Sequence, residues 1–311
     1  MVPQTRALIP ILTGTTASGK SALALEYALS HGNIELINAD SIQLYRGFDI
    51  GSAKSTLEER ACVPHHLIDV CNPEETFTAG DFVRKVDQTI TEILEHGKRP
   101  LLVGGTGFYL KALLHGLWDA PAADPRLRAL LSGLPREELY KRLEKIDPTS
   151  AHRITPGDPY RLIRALEIHA LTGKTPTELE QAPKVHRSAH AFKLIVIDRE
   201  QEELEARIRT RAQAMLAQGL IEETTRLLRE HPSARALEAV GYAQVVAHLR
   251  GEKPKGRELR PGTQGLIDEI TLATRQLVKR QRTWFRGQSK AHLWILDRER
   301  QSVMELLNDQ S

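Results

Sequence analysis

The chain has 311 residues, 41% of them hydrophobic and 27% charged, with a formal net charge of +3. That length can bury a substantial core and is read as one larger domain with a smaller one, which excludes a disordered or disulfide-stapled chain. The two cysteines, Cys62 and Cys71, fall in no metal-ligand pattern; they are expected as free thiols buried like small hydrophobes, with no structural zinc. No apolar run reaches the roughly 18 residues of a membrane span, and MVPQTRALIPILTG lacks the form of a secretory signal, so a cytoplasmic protein with no membrane association is expected.

In chain order, LIPILT reads as a buried strand, followed by a Gly-rich loop and by SALALEYALSH at helical spacing; IELINAD returns as a second apolar strand ending at Asp40. A helix from about Asp81 to His96 follows, then the strand RPLLVGGTG and an apolar helix through FYLKALLHG. This alternation predicts an α/β fold with a parallel sheet flanked by helices. From Leu117 to His190 the pattern changes to helical stretches separated by Pro and Gly, with no convincing strand, which reads as a helical insertion domain; residues 1–116 and 191–311 form the core domain. The strand pattern resumes at FKLIVIDRE, continues as long charged helices to about Gly287, and ends in a final strand HLWIL. Arg250 to Gly265, rich in Pro, Gly and charge, is expected as a long flexible loop.

The loop after the first strand, Gly14 to Ser21 (GTTASGKS), matches the phosphate-binding pattern G-x-x-x-x-G-K-[ST] in its required strand-to-helix context. Its chemistry is legible residue by residue. Backbone N–H groups of Gly14, Thr15, Thr16, Ala17, Ser18 and Gly19 can wrap a phosphate, Lys20 supplies a cation, Ser21 can ligate Mg2+, and the following helix turns its positive end inward. The motif fixes a phosphate ligand but not the reaction. Asp40 and Asp198 both stand at carboxyl ends of predicted strands. Asp198 is read as a helix N-cap before REQEEL, and Asp40, beside the phosphate loop, as the better catalytic candidate.

The modest net charge is unevenly spread. Arg275 to Lys290 (RQLVKRQRTWFRGQSK) contains no acid, and helical spacing puts Arg275, Lys279, Arg282 and Arg286 on one face with Leu277 and Trp284 on another. Such a stripe is either a solvated face or a surface that follows a phosphate backbone. The pair His65 and His66 is read as structural, because adjacent side chains on an extended segment diverge.

In order, GTTASGKS, NADSIQLYRGFDIGSAK, PHHLIDV, AGDFV, LLVGGTGFYLKALLHGL, DPYRLIRALEI, TGKTPTEL, VGYAQ and ATRQLVKRQRTWFR resemble the motifs of bacterial tRNA dimethylallyltransferases, also called IPP transferases. The resemblance covers nearly the whole chain. It implies a P-loop NTPase-like core that holds dimethylallyl diphosphate rather than ATP. Its dimethylallyl group passes to N6 of the adenosine 3′-adjacent to the anticodon of tRNA, and diphosphate leaves. By the same resemblance Asp40 is the general base, Thr16 and Arg211 stand near the bridging oxygen, and Mg2+ joins the phosphate oxygens at Ser21. Contacts to the tRNA anticodon stem-loop are implied for Asp40, Ser41, Ile42, Gln43, Thr106, Arg128, Tyr160, Arg161, Leu162, Ile163, Arg164 and the segment Glu238 to Ala243, with Lys279 and Arg282 added from the basic stripe. Within the Tyr160 to Arg164 segment, Leu162 and Ile163 are expected in a helix core and Arg161 and Arg164 as phosphate ligands. A monomer is expected.

The sequence departs from the family at Thr15, where proline is common and a slightly looser turn is expected. It also departs in the length of the Arg250 to Gly265 segment, and a zinc-finger extension like that of eukaryotic relatives is not expected. Two further functions remain compatible with the residues: prenylation of a free adenine nucleotide, and a P-loop kinase or NTPase acting on RNA.

Overall fold

The computed structural model describes residues 8–185, 187–252, 260, 262–288 and 292–309. The chain divides into two compact units, Met1–Leu114 with Ser188–Ser311, and His115–Arg187. The first unit contains β1 (Ile9–Gly14), α1 (Lys20–His31), β2 (Ile34–Asn38), α2 (Leu57–Cys62), β3 (His65–His66), α3 (Ala79–Glu95), β4 (Arg99–Gly104) and α4 (Gly107–His115), whose last residue lies on the boundary. The second unit contains α5 (Pro125–Ser132), α6 (Arg136–Ile146), α7 (Pro148–Arg153), α8 (Pro159–Thr172) and α9 (Pro176–Gln181). The chain then returns to the first unit with β5 (Phe192–Asp198), α10 (Gln201–Ala217), α11 (Leu220–Glu230), a 3-10 turn at Arg235–Glu238, α12 (Tyr242–Leu249), α13 (Gly262–Gly287), β6 (Leu293–Ile295) and α14 (Leu296–Asn308).

All six strands are parallel, in the order β3-β2-β4-β1-β5-β6. In β1 the successive residues Ile11 and Leu12 are both fully buried. Neighbours on a strand point to opposite faces, so both faces of the sheet centre are covered, which is why β1 reads as a continuous apolar run. On one side α1 contributes Leu23, Ala24, Tyr27 and Ala28 to a core shared with Val303 and Leu307 of α14. The Tyr27 hydroxyl donates to the Leu307 carbonyl at 2.9 Å, which satisfies the one polar atom this ring buries. A separate cluster joins Phe48, Met215, Leu227, Tyr242, Val245 and Ile270, packing α10 to α13 beneath the segment that follows β2.

In the helical unit the starts of α5, α7, α8 and α9 are written in the sequence as Asp124-Pro125, Asp147-Pro148, Asp158-Pro159 and Thr175-Pro176. In each pair the first side chain accepts a backbone N–H of the first turn and the proline occupies the first helical position. Each such cap contributes about 1 kcal/mol, and proline there sacrifices no hydrogen bond. Leu139, Leu143, Leu162 and Leu166 form the core of this unit.

Four expectations are revised. Asp198 is not a helix cap: Glu200 occupies that position of α10, and Asp198 is buried in contacts described below. HLWIL is strand only at Leu293–Ile295, after which the chain turns into α14. That helix hides its pattern among charges but buries Leu296, Val303 and Leu307, one and two turns apart. The Arg250 to Gly265 segment is already helical from Gly262, while 253–259 and 261 lie outside the described residues. Cys71 is buried as expected, but Cys62 is exposed.

Candidate active site

The phosphate loop runs from the carboxyl end of β1 to the first turn of α1, between the ends of β4 and β5. Gly14 is required by packing: a Cβ there would lie 2.1 Å from the Ile197 carbonyl oxygen of β5. Gly19 stands at the N-cap of α1 in a left-handed conformation, φ +92°, and provides no side chain to cap the helix. Lys20, Ser21 and Ala22 at that helix start line an open cleft of about 610 Å³. Ala17 also adopts a left-handed conformation, φ +66°, which costs about 1 kcal/mol without glycine and persists because neighbours hold the loop on every side.

Those neighbours are side chains that local sequence does not announce. Thr15 Oγ1 donates to Asp198 Oδ1 at 2.9 Å. Asp198 is in turn held by Arg282, Nε to Oδ2 at 2.7 Å and Nη2 to Oδ1 at 3.2 Å. Thr15 therefore anchors the loop to β5 where a looser turn was expected, because its hydroxyl gains a buried partner that proline would not have. Arg199 Nε donates to the Ser18 carbonyl and Arg207 Nε to the Ala17 carbonyl, each at 3.0 Å. Gln281 accepts from Thr16 N–H at 2.9 Å. Ser18 N–H, expected to wrap a phosphate, donates to the Thr15 carbonyl at 3.2 Å, so with Thr16 N–H two of the expected phosphate donors are already bonded within the protein.

The same cleft is lined by Asp40, Gln43, Arg207 and Arg211, so it brings together the phosphate loop, the strand-end acid and the arginine of α10. Burial pushes the Lys20 ammonium down to about 8, against the attraction of Asp40 and with help from Arg211. Burial also lowers Arg211, again opposed by Asp40. The cations Lys20, Arg207 and Arg211 outnumber the carboxylates Asp40 and Glu203 along this cleft, and the resulting excess of positive charge suits an anion. Ser21, the residue expected to ligate Mg2+, is exposed and lines the cleft. Among the described residues no group of three or more His, Cys, Asp or Glu could hold a metal. A Mg2+ here would take few protein ligands and rely on phosphate oxygens and water, which is ordinary Mg2+ chemistry.

Asp40 begins a segment that carries Ser41, Ile42 and Gln43. Asp40 Oδ1 accepts Ile42 N–H at 2.9 Å, Thr106 Oγ1 accepts Ser41 N–H at 2.9 Å, and Gln43 Nε2 donates to the carbonyls of Ser52 and Ala53 at 3.2 Å each. Gly104 lets β4 approach this segment, since a Cβ there would meet Ala39 backbone atoms at 2.3 Å. The far end of the segment is held by two buried charges absent from the sequence reading. Lys54, its side chain 1% exposed, binds Asp49 and Asp69 at 2.6 Å each. Glu223 accepts the N–H groups of Asp49, Ile50 and Gly51 at 3.0–3.2 Å and the Tyr242 hydroxyl at 2.7 Å. The signal for Glu223 lay in its spacing, three residues after Leu220 and four before Leu227 on the buried face of α11. Tyr242, inside the proposed RNA segment Glu238 to Ala243, is fully buried and serves this contact instead.

The remaining predicted RNA residues divide by what they already hold. In the helical unit Arg128 forms two 2.9 Å bonds to the fully buried Glu167, and Arg164 pairs with the same carboxylate and with the Pro121 carbonyl. Burial pushes Glu167 up, but the bonds from Arg128 and Arg164 outweigh it and hold the carboxyl below its usual range. Arg164, expected as a phosphate ligand, is thus committed internally, because a buried carboxylate demands cationic partners. Arg161 is 70% exposed and pairs only loosely with Asp158 at 3.4 Å; Tyr160 is exposed under the Arg128 guanidinium; Leu162 is fully buried and Ile163 half-buried. On α13 the buried face is Ile270, Thr274, Val278 and Phe285, while Leu277 and Trp284 are half-buried. Arg275 pairs with Glu205 at 3.0 Å and Arg282 with Asp198, whereas Lys279 and Arg286 are exposed. The stripe is therefore divided between structural and solvent-facing charges. His65 Nδ1 bonds the Val63 carbonyl and His66 Nε2 bonds Glu35, each at 2.7 Å.

The sequence pattern described as IPP transferase matches residues 43–288. A protein of Citrifermentans bemidjiense named tRNA dimethylallyltransferase 1 is 42% identical over 297 residues, covering 92% of this chain and 90% of its own. The tRNA dimethylallyltransferase of Myxococcus xanthus is 40% identical over 291 residues, covering 92% of each. Among solved structures, the full-length tRNA isopentenylpyrophosphate transferase of Bacillus halodurans superposes with a TM-score of 0.66 at 34% identity, over 97% of this chain and 95% of that one. A eukaryotic dimethylallyltransferase acting on tRNA gives a TM-score of 0.71 at 27% identity, over 90% of this chain and 70% of that one. With a phosphate loop, a strand-end acid and an arginine gathered in one cleft, and with this likeness along nearly its whole length, the chain belongs to the IPP transferase family.

Proposed function

We propose that this enzyme transfers the dimethylallyl group of dimethylallyl diphosphate to N6 of the adenosine 3′-adjacent to the anticodon of tRNA, releasing diphosphate. The observation that carries the reading is the meeting of Asp40 with Lys20 and Arg211 in one cleft at the ends of β1 and β2. An exocyclic amine is a weak nucleophile, so a carboxylate that accepts its hydrogen bond and then its proton assists attack as the new C–N bond forms. The C–O bond to diphosphate breaks and its electron pair leaves with the bridging oxygen. Lys20, Arg211, the Thr16 hydroxyl and the N-terminus of α1 stabilise that growing charge. Mg2+ bound through Ser21 and the phosphate oxygens would neutralise further charge on the leaving group.

Extracting a nucleotide from its stack costs a few kcal/mol, which contacts to neighbouring bases and phosphates offset. Ser41, Gln43 and Thr106 of the α/β unit and Tyr160 and Arg161 of the helical unit are suited to such contacts, and Lys279 to the phosphate backbone. Mass spectrometry of nucleosides from tRNA incubated with the protein and dimethylallyl diphosphate tests the reading. N6-dimethylallyladenosine is expected. Prenylation of free adenine nucleotides without modification of tRNA, or tight ATP binding with RNA-stimulated hydrolysis, would contradict it.

A further inference from the structure

We infer that Gln281 is a positioning residue that sets Thr16 for departure of the diphosphate and ties the donor loop to the turn supporting the acceptor segment. The inference rests on the prenyl-transfer reading above. Gln281 reaches two irregular backbones at once: its Oε1 accepts Thr16 N–H at 2.9 Å, and its Nε2 donates to the Gly105 carbonyl at 3.3 Å. The next residue of that turn, Thr106, accepts Ser41 N–H and bonds Ala39 O through its own N–H. One amide therefore links the donor loop, the Gly105-Thr106 turn and, through Thr106, the residues flanking Asp40. A carboxamide suits this position because it offers one acceptor and one donor a fixed distance apart; a carboxylate would lose the donor and set a negative charge beside the anion site.

The surroundings restrict the alternatives. A Cβ at Gly105 would lie 3.1 Å from both Gln281 Nε2 and the Gly14 carbonyl and 3.6 Å from Lys20 Nζ, so the amide is seated close against the turn and a side chain there would press on it. Gln281 is half-buried on α13 and is followed by Arg282, which fixes Asp198 and through it Thr15. Two consecutive residues of one helix thus hold two consecutive residues of the loop. The contact at Thr16 differs from the others in kind. It engages the backbone of a cleft-lining residue whose hydroxyl the prenyl-transfer reading assigns to the leaving group, so on that reading misplacement there affects the transition state more than the ground state.

A double-mutant cycle separates positioning from ordinary structural support. Single-turnover transfer at saturating tRNA and dimethylallyl diphosphate is measured for wild type, Thr16→Ala, Gln281→Met and the double variant, with inorganic diphosphate affinity and thermal midpoint alongside. Gln281→Met is expected to slow transfer by about tenfold, the scale of one misdirected hydrogen bond, while tRNA affinity and midpoint change little. Because Gln281 acts through Thr16, the double variant is expected to be no slower than Thr16→Ala alone. Multiplicative losses in the double variant, or an unaltered rate in Gln281→Met, would overturn the proposal. Should the methionine variant not fold, Gln281→Asn, which keeps the amide but withdraws it by one methylene, is carried through the same cycle with the same expectation. Absence of prenylated adenosine with the wild-type protein would instead refute the reading of the enzyme.

Discussion

The two segments that follow β1 and β2 use the same raw material, backbone N–H groups at the carboxyl ends of parallel strands, in opposite ways. After β2, the N–H groups of Asp49, Ile50 and Gly51 converge on the chain's own carboxylate, Glu223. After β1, the carbonyls of Ala17 and Ser18 are held by Arg207 and Arg199, the helix start has no side-chain cap, and Lys20 and Arg211 bring excess positive charge. The first arrangement is an anion site filled from within and fixes a segment that presents Gln43, Ser52 and Ala53 to the cleft. The second is suited to an anion from outside. A turn rich in N–H groups therefore does not identify a ligand site; what matters is whether the protein supplies its own counter-charge.

The largest expected effect comes from removing that internal carboxylate. Glu223→Leu leaves three backbone donors and the Tyr242 hydroxyl without their acceptor inside the protein and is expected to lower unfolding free energy by about 3 kcal/mol or more. Urea denaturation measures this. A variant as stable as wild type would show that the segment after β2 is held by other contacts, such as those of Lys54, and the contrast between the loops would fail.

The loops also differ in how pH should act on them. Lys20 binds its proton more weakly in the folded chain, at about 8, than at its ordinary 10.5. As pH rises through 8 the ammonium is lost and diphosphate affinity should fall, by about tenfold at pH 9 if only the charged form binds. The sign for folding is opposite: between 8 and the ordinary lysine range the unfolded chain holds more protons, so this group's contribution to stability increases with pH. Titration calorimetry with inorganic diphosphate across this range tests the claim. Lys20→Arg should remove the pH dependence, and a wild-type affinity that stays level to pH 9.5 would contradict it.

Why some of this could be read from the sequence and some could not follows from distance along the chain. Gly14 to Ser21 and Asp40 are legible because a strand, a loop of fixed spacing and a helix are local events. The helical unit announces its helix starts in four cap-and-proline pairs. The side chains that shape the phosphate loop come from far away: Asp198 meets Thr15 across 183 residues and Gln281 meets Thr16 across 265. Nothing in VKRQRTW marks its glutamine as different from its solvated neighbours. Arg282 was likewise indistinguishable from Lys279 by helical spacing, yet one closes on a buried carboxylate and the other faces solvent.

That difference between neighbours predicts the smallest effect. Lys279→Gln should weaken tRNA binding only a few-fold, with the slope of log affinity against log salt shallower by about one unit and diphosphate affinity unchanged, as for loss of one phosphate contact. Arg282→Gln should instead destabilise the fold and weaken diphosphate binding, because it strands Asp198. Identical salt slopes for Lys279→Gln and wild type would remove α13 from the RNA surface.

The account turns most directly on Asp40, which lines the cleft together with the phosphate loop and Arg211. Single-turnover transfer of the dimethylallyl group to tRNA, with both substrates saturating, should be slower by about a hundredfold or more in Asp40→Ala, the scale for loss of a general base, while tRNA affinity stays within about tenfold of wild type. A nearly unchanged transfer rate would contradict the assignment of Asp40 as the group that takes the proton of the adenosine amine.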